Sequence, residues 1–283
     1  MEKYNFEHLR NKNCVVTGGA GILGTAMTEA LAQAGLNLAI LDLNQDAACE
    51  LVEKLASEYK IKAIGVAANV LEKSSLEEAR KEIHKQLGPI HFLINGAGGN
   101  SPKATTKLEQ LIPGGKIEWA DTFYGLEVEG FRQVFDLNFL GTLLPTMVFT
   151  SEMVERGRGV VINISSMNSF KPLTKIPAYS AAKSAINNFT EWLAVHLGKT
   201  GVRVNAIAPG FFLTNQNRFL LTEEATGNLT PRGKRIIAST PMGKFGNPND
   251  IDGTVLFLLS DLSEFITGIV IPVDGGYSAY GGV

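Results

Sequence analysis

The chain has 283 residues, of which 45% are hydrophobic and 19% charged, and its net charge at pH 7 is −2. These values favour one large α/β domain over residues 1–283 rather than two small domains. The chain has no basic run and no apolar stretch of about 18 residues, which argues against nucleic acid or a membrane as its partner. With no apolar signal region and no metal-ligand spacing among its two Cys and four His, we expect a cytoplasmic, metal-free protein.

Strand-like apolar runs alternate with helical patterns from Asn13 onward. The sequence predicts strands at 14–18, 36–42, 61–68, 90–98, 159–165, 202–210 and 267–276. It predicts helices at 22–34, 46–59, 74–87, a stretch ending near 156, 178–197 and 249–260. Short apolar strands separated by helices indicate a parallel seven-stranded sheet covered on both faces, a doubly wound Rossmann-type α/β fold. In such a fold the ligands bind at the carboxyl ends of the strands.

Two long stretches, 99–130 and 211–247, interrupt this alternation directly after predicted strands. Long connections in compact domains are usually functional or disordered. These two contain apolar residues, which predicts ordered, packed segments that form a substrate pocket or lid: Leu111, Ile112, Trp119, Phe123, Phe219 and Leu220.

A glycine-rich turn, TGGAGILG, joins the first predicted strand to the first helix. It contains Gly18, Gly21 and Gly24. Glycines at this point allow close approach to a pyrophosphate, whose charge is stabilised by the helix N-terminus. A glycine turn without a ligand is the plain alternative. Asp42 ends the second strand, where a carboxylate accepts hydrogen bonds from the adenosine ribose and repels a 2′-phosphate, so we expect NAD rather than NADP.

Two more groups extend the predicted cofactor site. Asn69 follows the third strand and is placed to meet adenine, although a turn would use the same residue. Asn95, Gly96, Ala97 and Gly98 end the fourth strand, where small residues let the backbone lie against a cofactor, although a plain β-turn would look similar.

Ser166, Tyr179 and Lys183 are the candidate reacting residues. Tyr179 and Lys183 are four residues apart in a predicted helix, so their side chains share one face. A tyrosine normally loses its proton near pH ~10, and a neighbouring cation lowers that pKa toward a useful range. Ser166 ends an apolar strand and would hold a carbonyl or hydroxyl oxygen. A Tyr-x3-Lys pair by itself is weak evidence, because most such pairs lie on solvated helix faces.

Taken together, these motifs resemble those of the short-chain dehydrogenase/reductase family along nearly the whole chain. The family resemblance implies a proton relay through Asn138 and contact of Lys183 with the nicotinamide ribose. It also implies cofactor contacts at Ile22, Leu23, Val70, Pro209, Gly210, Phe212 and Thr214. The chain differs from the common family pattern in having Ile22 at a glycine position of the phosphate turn and Gly96 in place of an asparagine. The resemblance further implies a homotetramer that pairs the helices at 127–156 and 178–197.

Segments near the predicted site, among them LINGAGGNSPKATT and NAIAPGFFLTNQNR, resemble those of family members that interconvert D-mannonate and D-fructuronate. A sugar acid requires a cation for its carboxylate and polar groups for its hydroxyls. The candidates are Asn100, Lys103, Asn168, Lys171, Lys175, Asn215 and Arg218, although each lysine alone could be a solvated loop residue. A gluconate- or polyol-type dehydrogenase and an NAD-binding protein without turnover are the alternatives.

Overall fold

The computed structural model describes residues 6–114, 117–214, 218–223 and 226–282. Seven strands form one parallel sheet in the order β3-β2-β1-β4-β5-β6-β7. The strands are β1 Asn13–Thr17, β2 Asn37–Asp42, β3 Ala63–Ala67, β4 Phe92–Asn95, β5 Gly159–Ile164, β6 Val202–Pro209 and β7 Val270–Val273. The predicted fold class is confirmed.

Helices cover both faces of this sheet. They are α1 Ile22–Gln33, α2 Gln45–Tyr59, α3 Lys73–Gln86, α4 Val128–Phe135, α5 Gly141–Phe149, α6 Ser151–Arg156, α7 Pro177–Leu197, α8 Arg218–Leu221, α9 Pro231–Ala238 and α10 Asp252–Leu259. Among the described residues, none of these helices is both long and apolar enough to cross a membrane.

Alternation along each strand distributes the buried side chains between two cores. Val16 and Ile40 belong to the core on one face, whereas Val15 and Leu41 belong to the core on the other. Successive side chains of a strand point to opposite faces, so a strand buried on both sides is a continuous apolar run. This explains why the strand positions could be read from the sequence.

Several predicted elements are longer than the observed ones. The predicted strands 90–98 and 267–276 pair over only four residues each, because the glycine-containing segments beyond them leave the ladder. The helix expected to end near 156 is divided by a π-helical turn at Asp136–Leu140, and α10 is preceded by a 3₁₀ turn at Pro248–Ile251.

The described part of the 99–130 stretch contains three short 3₁₀ turns, Pro102–Ala104, Trp119–Asp121 and Phe123–Gly125. Ala104 is buried against α4 and α7. The expectation that the apolar residues of this stretch are packed is wrong for Leu111, Ile112, Trp119 and Phe123, whose side chains are exposed. Polar contacts also join the stretch to its surroundings: the Thr106 N–H donates to the Lys175 carbonyl oxygen, and Glu109 pairs with Arg235. The side chains of Phe219 and Leu220 lie outside the described part of the chain.

Candidate active site

A cleft of about 520 Å³ opens at the carboxyl ends of the strands, the edge where ligands bind in doubly wound sheets. It extends from the β1–α1 turn, past the ends of β2 and β4, to the start of α7. The cleft is lined by Gly18, Gly21, Ile22, Leu23, Gly24, Leu41, Asp42, Leu43, Ala68, Val70, Gly96, Ala97, Gly98, Gly99, Leu137, Ile164, Ser165, Ser166, Tyr179, Lys183, Pro209 and Gly210.

The glycine turn is packed so tightly that side chains cannot replace two of its glycines. A Cβ on Gly18 would lie 2.8 Å from the Cα of Ala97, and one on Gly24 would collide with the carbonyl oxygen of Gly18. Gly18 also has a φ of +62°, which disfavours other residues. Gly21 is the N-cap of α1, and no side chain of the described residues caps the helix there. The free N–H groups of the first turn are therefore available to an anion, which fits a pyrophosphate.

Asp42 lies at the end of β2, beside this turn. Its Oδ2 accepts a hydrogen bond from the Ala20 N–H at 3.3 Å, and its Oδ1 accepts one from the Asn44 N–H at 3.1 Å. These two bonds hold the carboxylate at the rim of the cleft. A carboxylate in this position fits a dinucleotide with free ribose hydroxyls.

Ser166 and Tyr179 both line the cleft, and a side-chain hydrogen bond with Ser166 is one of the influences on the pKa of Tyr179. Ser166 lies two residues after the end of β5 and is the N-cap of a 3₁₀ turn, in which its Oγ accepts a hydrogen bond from the Asn168 N–H at 3.2 Å. Tyr179 is half-buried in the first turn of α7. Burial raises the pKa of Tyr179, and the hydrogen bond with Ser166 opposes that rise.

Lys183 lies one turn further along α7 and is almost completely buried. Its Nζ donates to the carbonyl oxygen of Ile164 at 2.8 Å and lies 5.6 Å from the ring centre of Tyr179. Burial lowers the pKa of Lys183 to about 7. Tuning of the tyrosine by this lysine therefore stays a prediction, because the lysine's own charge is reduced near neutral pH.

Asn138 lies in the π-helical turn between α4 and α5 and is fully buried. Its Nδ2 donates to the carbonyl oxygens of Gly99 and Val134, and its Oδ1 accepts from the Gly99 N–H. These bonds orient the amide against the strand-end segment that follows β4. Single π turns within helices occur frequently at functional sites.

Four predicted cofactor residues do not line this cleft. Asn95 is buried beneath it, where its amide donates to Thr146 and Asn163 and connects β4 with β5. Asn69 is used in the turn before α3, where its side chain contacts Glu72 and the Leu71 N–H. The other two follow β6: Phe212 is buried in a bridge to Gly246, and Thr214 is half-buried.

The predicted substrate residues also lie outside the cleft lining. Lys103 forms an ion pair with Glu127 at 3.2 Å, and the Lys171 ammonium donates to the Tyr280 carbonyl oxygen at 2.7 Å. The other positions are mixed in environment: Asn100 bonds to Thr105, Asn168 is buried, Lys175 is half-buried and Arg218 is exposed. Asn215 lies outside the described residues.

Sequence reasoning did not assign roles to Gly99 and Leu137, which line the cleft beside Gly98 and the candidate reacting residues. A Cβ on Gly98 would lie 2.8 Å from Asn138 Oδ1 and 3.2 Å from Lys183 Nζ. The glycines of the GAGG segment were the available sequence signal for a close approach at this point. The groups that approach Gly98, on Asn138 and Lys183, are far from it in sequence, so the sequence alone could not identify them.

Comparison with known proteins agrees with this geometry. A short-chain dehydrogenase family model described as enoyl-(acyl carrier protein) reductase matches residues 18–278. The chain belongs to the short-chain dehydrogenase/reductase family. It is 46% identical over 278 residues to the uncharacterized oxidoreductase UxuB of Bacillus subtilis, with 98% of each chain covered.

Two further similar proteins have names that include a substrate. The chain superposes with a TM-score of 0.91 on a structure described as a candidate D-mannonate oxidoreductase from Haemophilus with bound NAD. That protein is 48% identical, and the match covers 97% of this chain and 98% of the other. The 5-keto-D-gluconate 5-reductase of Escherichia coli is 33% identical over 269 residues, which is 95% of this chain and 96% of that one.

Proposed function

We propose that the protein is an NAD-dependent oxidoreductase that interconverts D-mannonate and D-fructuronate. The observation that carries this proposal is the meeting of Ser166, Tyr179 and Lys183 in one cleft with the glycine turn and Asp42. The 48% identity to a candidate D-mannonate oxidoreductase with bound NAD supports both the substrate and the cofactor.

The cleft residues fit a dinucleotide. The first turn of α1 would hold the pyrophosphate, and Asp42 would accept hydrogen bonds from the adenosine ribose and disfavour a 2′-phosphate. Lys183 would contact the ribose near the reacting ring. When bound, the nicotinamide supplies the chemistry of accepting or donating a hydride.

Tyr179 and Ser166 move and hold protons at the reacting oxygen of the substrate. In the reduction direction, the Tyr179 hydroxyl donates its proton to the developing alkoxide, while the Ser166 hydroxyl donates a hydrogen bond to the same oxygen. In the oxidation direction, the Tyr179 oxygen accepts the proton of the substrate hydroxyl. Lys183 and Asn138 lie behind this pair and support proton transfer toward the interior of the site.

Lys175 and Arg218 are the best candidates for binding the substrate carboxylate. Within the described chain, neither side chain has an ion-pair partner, unlike Lys103, which is paired with Glu127. Both residues belong to segments that follow carboxyl ends of strands, β5 and β6, on the side of the cleft. A free cation at that edge suits a sugar acid better than a neutral polyol.

We also infer a homotetramer. A row of aromatic side chains on α7 and the preceding π-helical turn supports this assembly. Phe189 contacts Phe139 and Trp192, and the ring of Trp192 stacks on that of His196 with 4.9 Å between the ring centres. The Trp192 side chain is 57% exposed in the single chain. Exposed aromatic surface of this kind is typical of a subunit interface.

A steady-state panel tests the proposed reaction. NADH and NADPH would each be assayed with D-fructuronate, 5-keto-D-gluconate and fructose. The first two are acids that share the position of the carbonyl and differ in the configuration of one hydroxyl. We expect D-fructuronate with NADH to give the highest kcat/KM. Faster reduction of 5-keto-D-gluconate would favour the gluconate-type alternative, and NADH binding without any turnover would favour a non-catalytic protein.

A further inference from the structure

A second cavity of about 700 Å³ lies at the opposite edge of the sheet, where the strands begin. The first residues of β4, β5 and β6 form part of its wall, and none of the residues proposed for the active site lines it. The loop after α10 and the segment before β1 complete the wall. This cavity therefore has no role in the reaction proposed above.

Cationic side chains dominate this cavity. Lys12, Arg156, Arg158 and Arg203 line it, against two carboxylates, Asp261 and Glu264. The cavity thus has an excess of two positive charges, whereas the whole chain has a net charge of −2. A concave region of one sign attracts ligands of the opposite sign.

Two of the cations are committed to structural bonds. Arg158 forms an ion pair with Asp261 at 2.6 Å, which neutralises both. Arg203 donates to the main-chain carbonyl oxygens of Leu258, Ser260 and Ile266 and so holds the end of α10.

Arg156 and Lys12 remain available. The Arg156 guanidinium donates through one nitrogen to the carbonyl oxygens of Ile90 and Arg158, and no carboxylate within the described residues pairs with it. A guanidinium has five N–H donors, so most of its capacity is unused. Lys12 is exposed and makes no side-chain bond to any other described residue.

The pKa of His91 reflects the positive charges around the cavity. Its Nδ1 accepts a hydrogen bond from the Asn13 N–H at 3.1 Å, which places the proton of the neutral ring on Nε2. Burial, followed by the charges of Arg156, Lys12 and Arg158, lowers the pKa of His91 to about 4. The ring is therefore a neutral N–H donor near pH 7.

We propose that this cavity binds a small oxyanion, a phosphate or carboxylate group, between Arg156 and Lys12. Glu264 is the opposing charge, and it weakens the site. The competing explanation is that these cations only bind main-chain carbonyl oxygens at the ends of the elements. The two explanations differ in whether an added anion binds and in how single charges change its affinity.

Isothermal titration calorimetry tests the proposal, with inorganic phosphate and citrate as separate probes at constant ionic strength. The titrations are done with and without saturating NADH, because the glycine turn also attracts phosphate. We expect binding with NADH present at a Kd tighter than about 10 mM. A preference for one probe identifies the oxyanion class.

Charge variants give predictions of opposite sign. Lys12→Gln should weaken binding about threefold to tenfold, and Glu264→Gln should tighten it by a similar factor. Arg156→Gln should weaken it by about tenfold or more. Lys54→Gln, which changes an exposed lysine on α2, is the matched control and should leave Kd unchanged. Because Lys12 and Glu264 are exposed, these two variants test the site even if Arg156→Gln does not fold.

The proposal is overturned if neither probe binds, or if NADH abolishes binding, which would assign it to the active-site cleft. It is also overturned if Lys12→Gln and Glu264→Gln change Kd in the same direction or not at all.

Discussion

The Nζ atom of Lys183 lies 2.8 Å from the carbonyl oxygen of Ile164, the last residue of β5. This bond fixes the lysine beneath Tyr179 and joins α7 to the end of β5. Because the ammonium is buried against a neutral acceptor, its pKa is lowered to about 7. The structure thus places a titrating group next to the proposed acid/base.

Replacement of Lys183 by methionine should change how stability depends on pH. Below pH 7 the native and unfolded chains both carry the lysine proton, so the cost of the buried charge is fully present. Between pH 7 and the ordinary lysine pKa of 10.5, the unfolded chain binds more protons, so the stability of the native protein rises with pH. We expect a gain of about 2 kcal/mol from pH 7 to pH 9 that is missing in Lys183→Met.

Urea unfolding of the cofactor-free protein at both pH values measures this difference. Lys54→Gln is the control, since its exposed side chain should leave the slope of the wild type unchanged. Equal slopes in wild type and Lys183→Met would contradict the lowered pKa.

Removal of the Ser166 hydroxyl should change the pH profile as well as the rate. The hydrogen bond with Ser166 lowers the pKa of Tyr179, so Ser166→Ala should raise that pKa. Oxidation requires the deprotonated tyrosine, and the rising limb of its kcat/KM profile should therefore move to higher pH. The loss of one donor to the reacting oxygen should also lower kcat about 100-fold.

Profiles of kcat/KM for D-mannonate oxidation from pH 6 to pH 10 measure both effects. A lower rate with an unmoved limb would show that Ser166 positions the substrate without affecting Tyr179.

The sequence predicted the sheet and the meeting of the candidate residues Ser166, Tyr179 and Lys183 in one cleft, because both depend on local patterns. Strand runs such as those around Val15 and Val16 are apolar on both faces, and the Tyr179–Lys183 spacing is that of one helical turn. The turn chemistry at Gly18 is equally local. These features need no knowledge of distant contacts.

Other features depend on contacts that the sequence does not display. Asn95 ends its strand as predicted, but Thr146 and Asn163, which are distant in sequence, draw its amide into the core. The spacing of Tyr179 and Lys183 predicts that the lysine charge lowers the pKa of Tyr179. It does not show that Lys183 is itself buried, which lowers the pKa of Lys183. Lys103 is held by Glu127 across a loop, so its charge could not be assigned to a substrate from spacing.

Gly98→Ala should reduce turnover more than the neighbouring substitution Gly99→Ala. The added Cβ at position 98 would lie 2.8 Å from Asn138 Oδ1 and 3.2 Å from Lys183 Nζ, and both groups are buried. At position 99 it meets only a Leu137 methyl group at 3.3 Å. We expect kcat to fall about tenfold or more in Gly98→Ala and only a few-fold in Gly99→Ala. Steady-state kinetics of the two variants, side by side, would refute this account if the order were reversed.

The two inserted stretches are joined by a bidentate ion pair between Glu109 and Arg235, with N–O distances of 3.0 and 3.1 Å. The stretches follow the carboxyl ends of β4 and β6, so we expect the pair to help hold the proposed substrate pocket closed. Because it is exposed, its contribution is small, and Glu109→Gln should raise KM about threefold while leaving kcat almost unchanged.

Salt provides the control for this prediction. Raising the ionic strength to about 1 M should increase KM in the wild type but much less in Glu109→Gln, because the screened interaction is already lost. An equal salt effect in both proteins would exclude a role for the pair.

The most direct test of the proposed reaction is identification of the product formed from D-fructuronate and NADH by wild type and by Tyr179→Phe. Nuclear magnetic resonance of the product should show D-mannonate in amounts equal to the NADH oxidised by the wild type. Tyr179→Phe should bind NADH normally but form product at least about 1000-fold more slowly, because it lacks the proton donor. A different product, or undiminished turnover in Tyr179→Phe, would contradict the account.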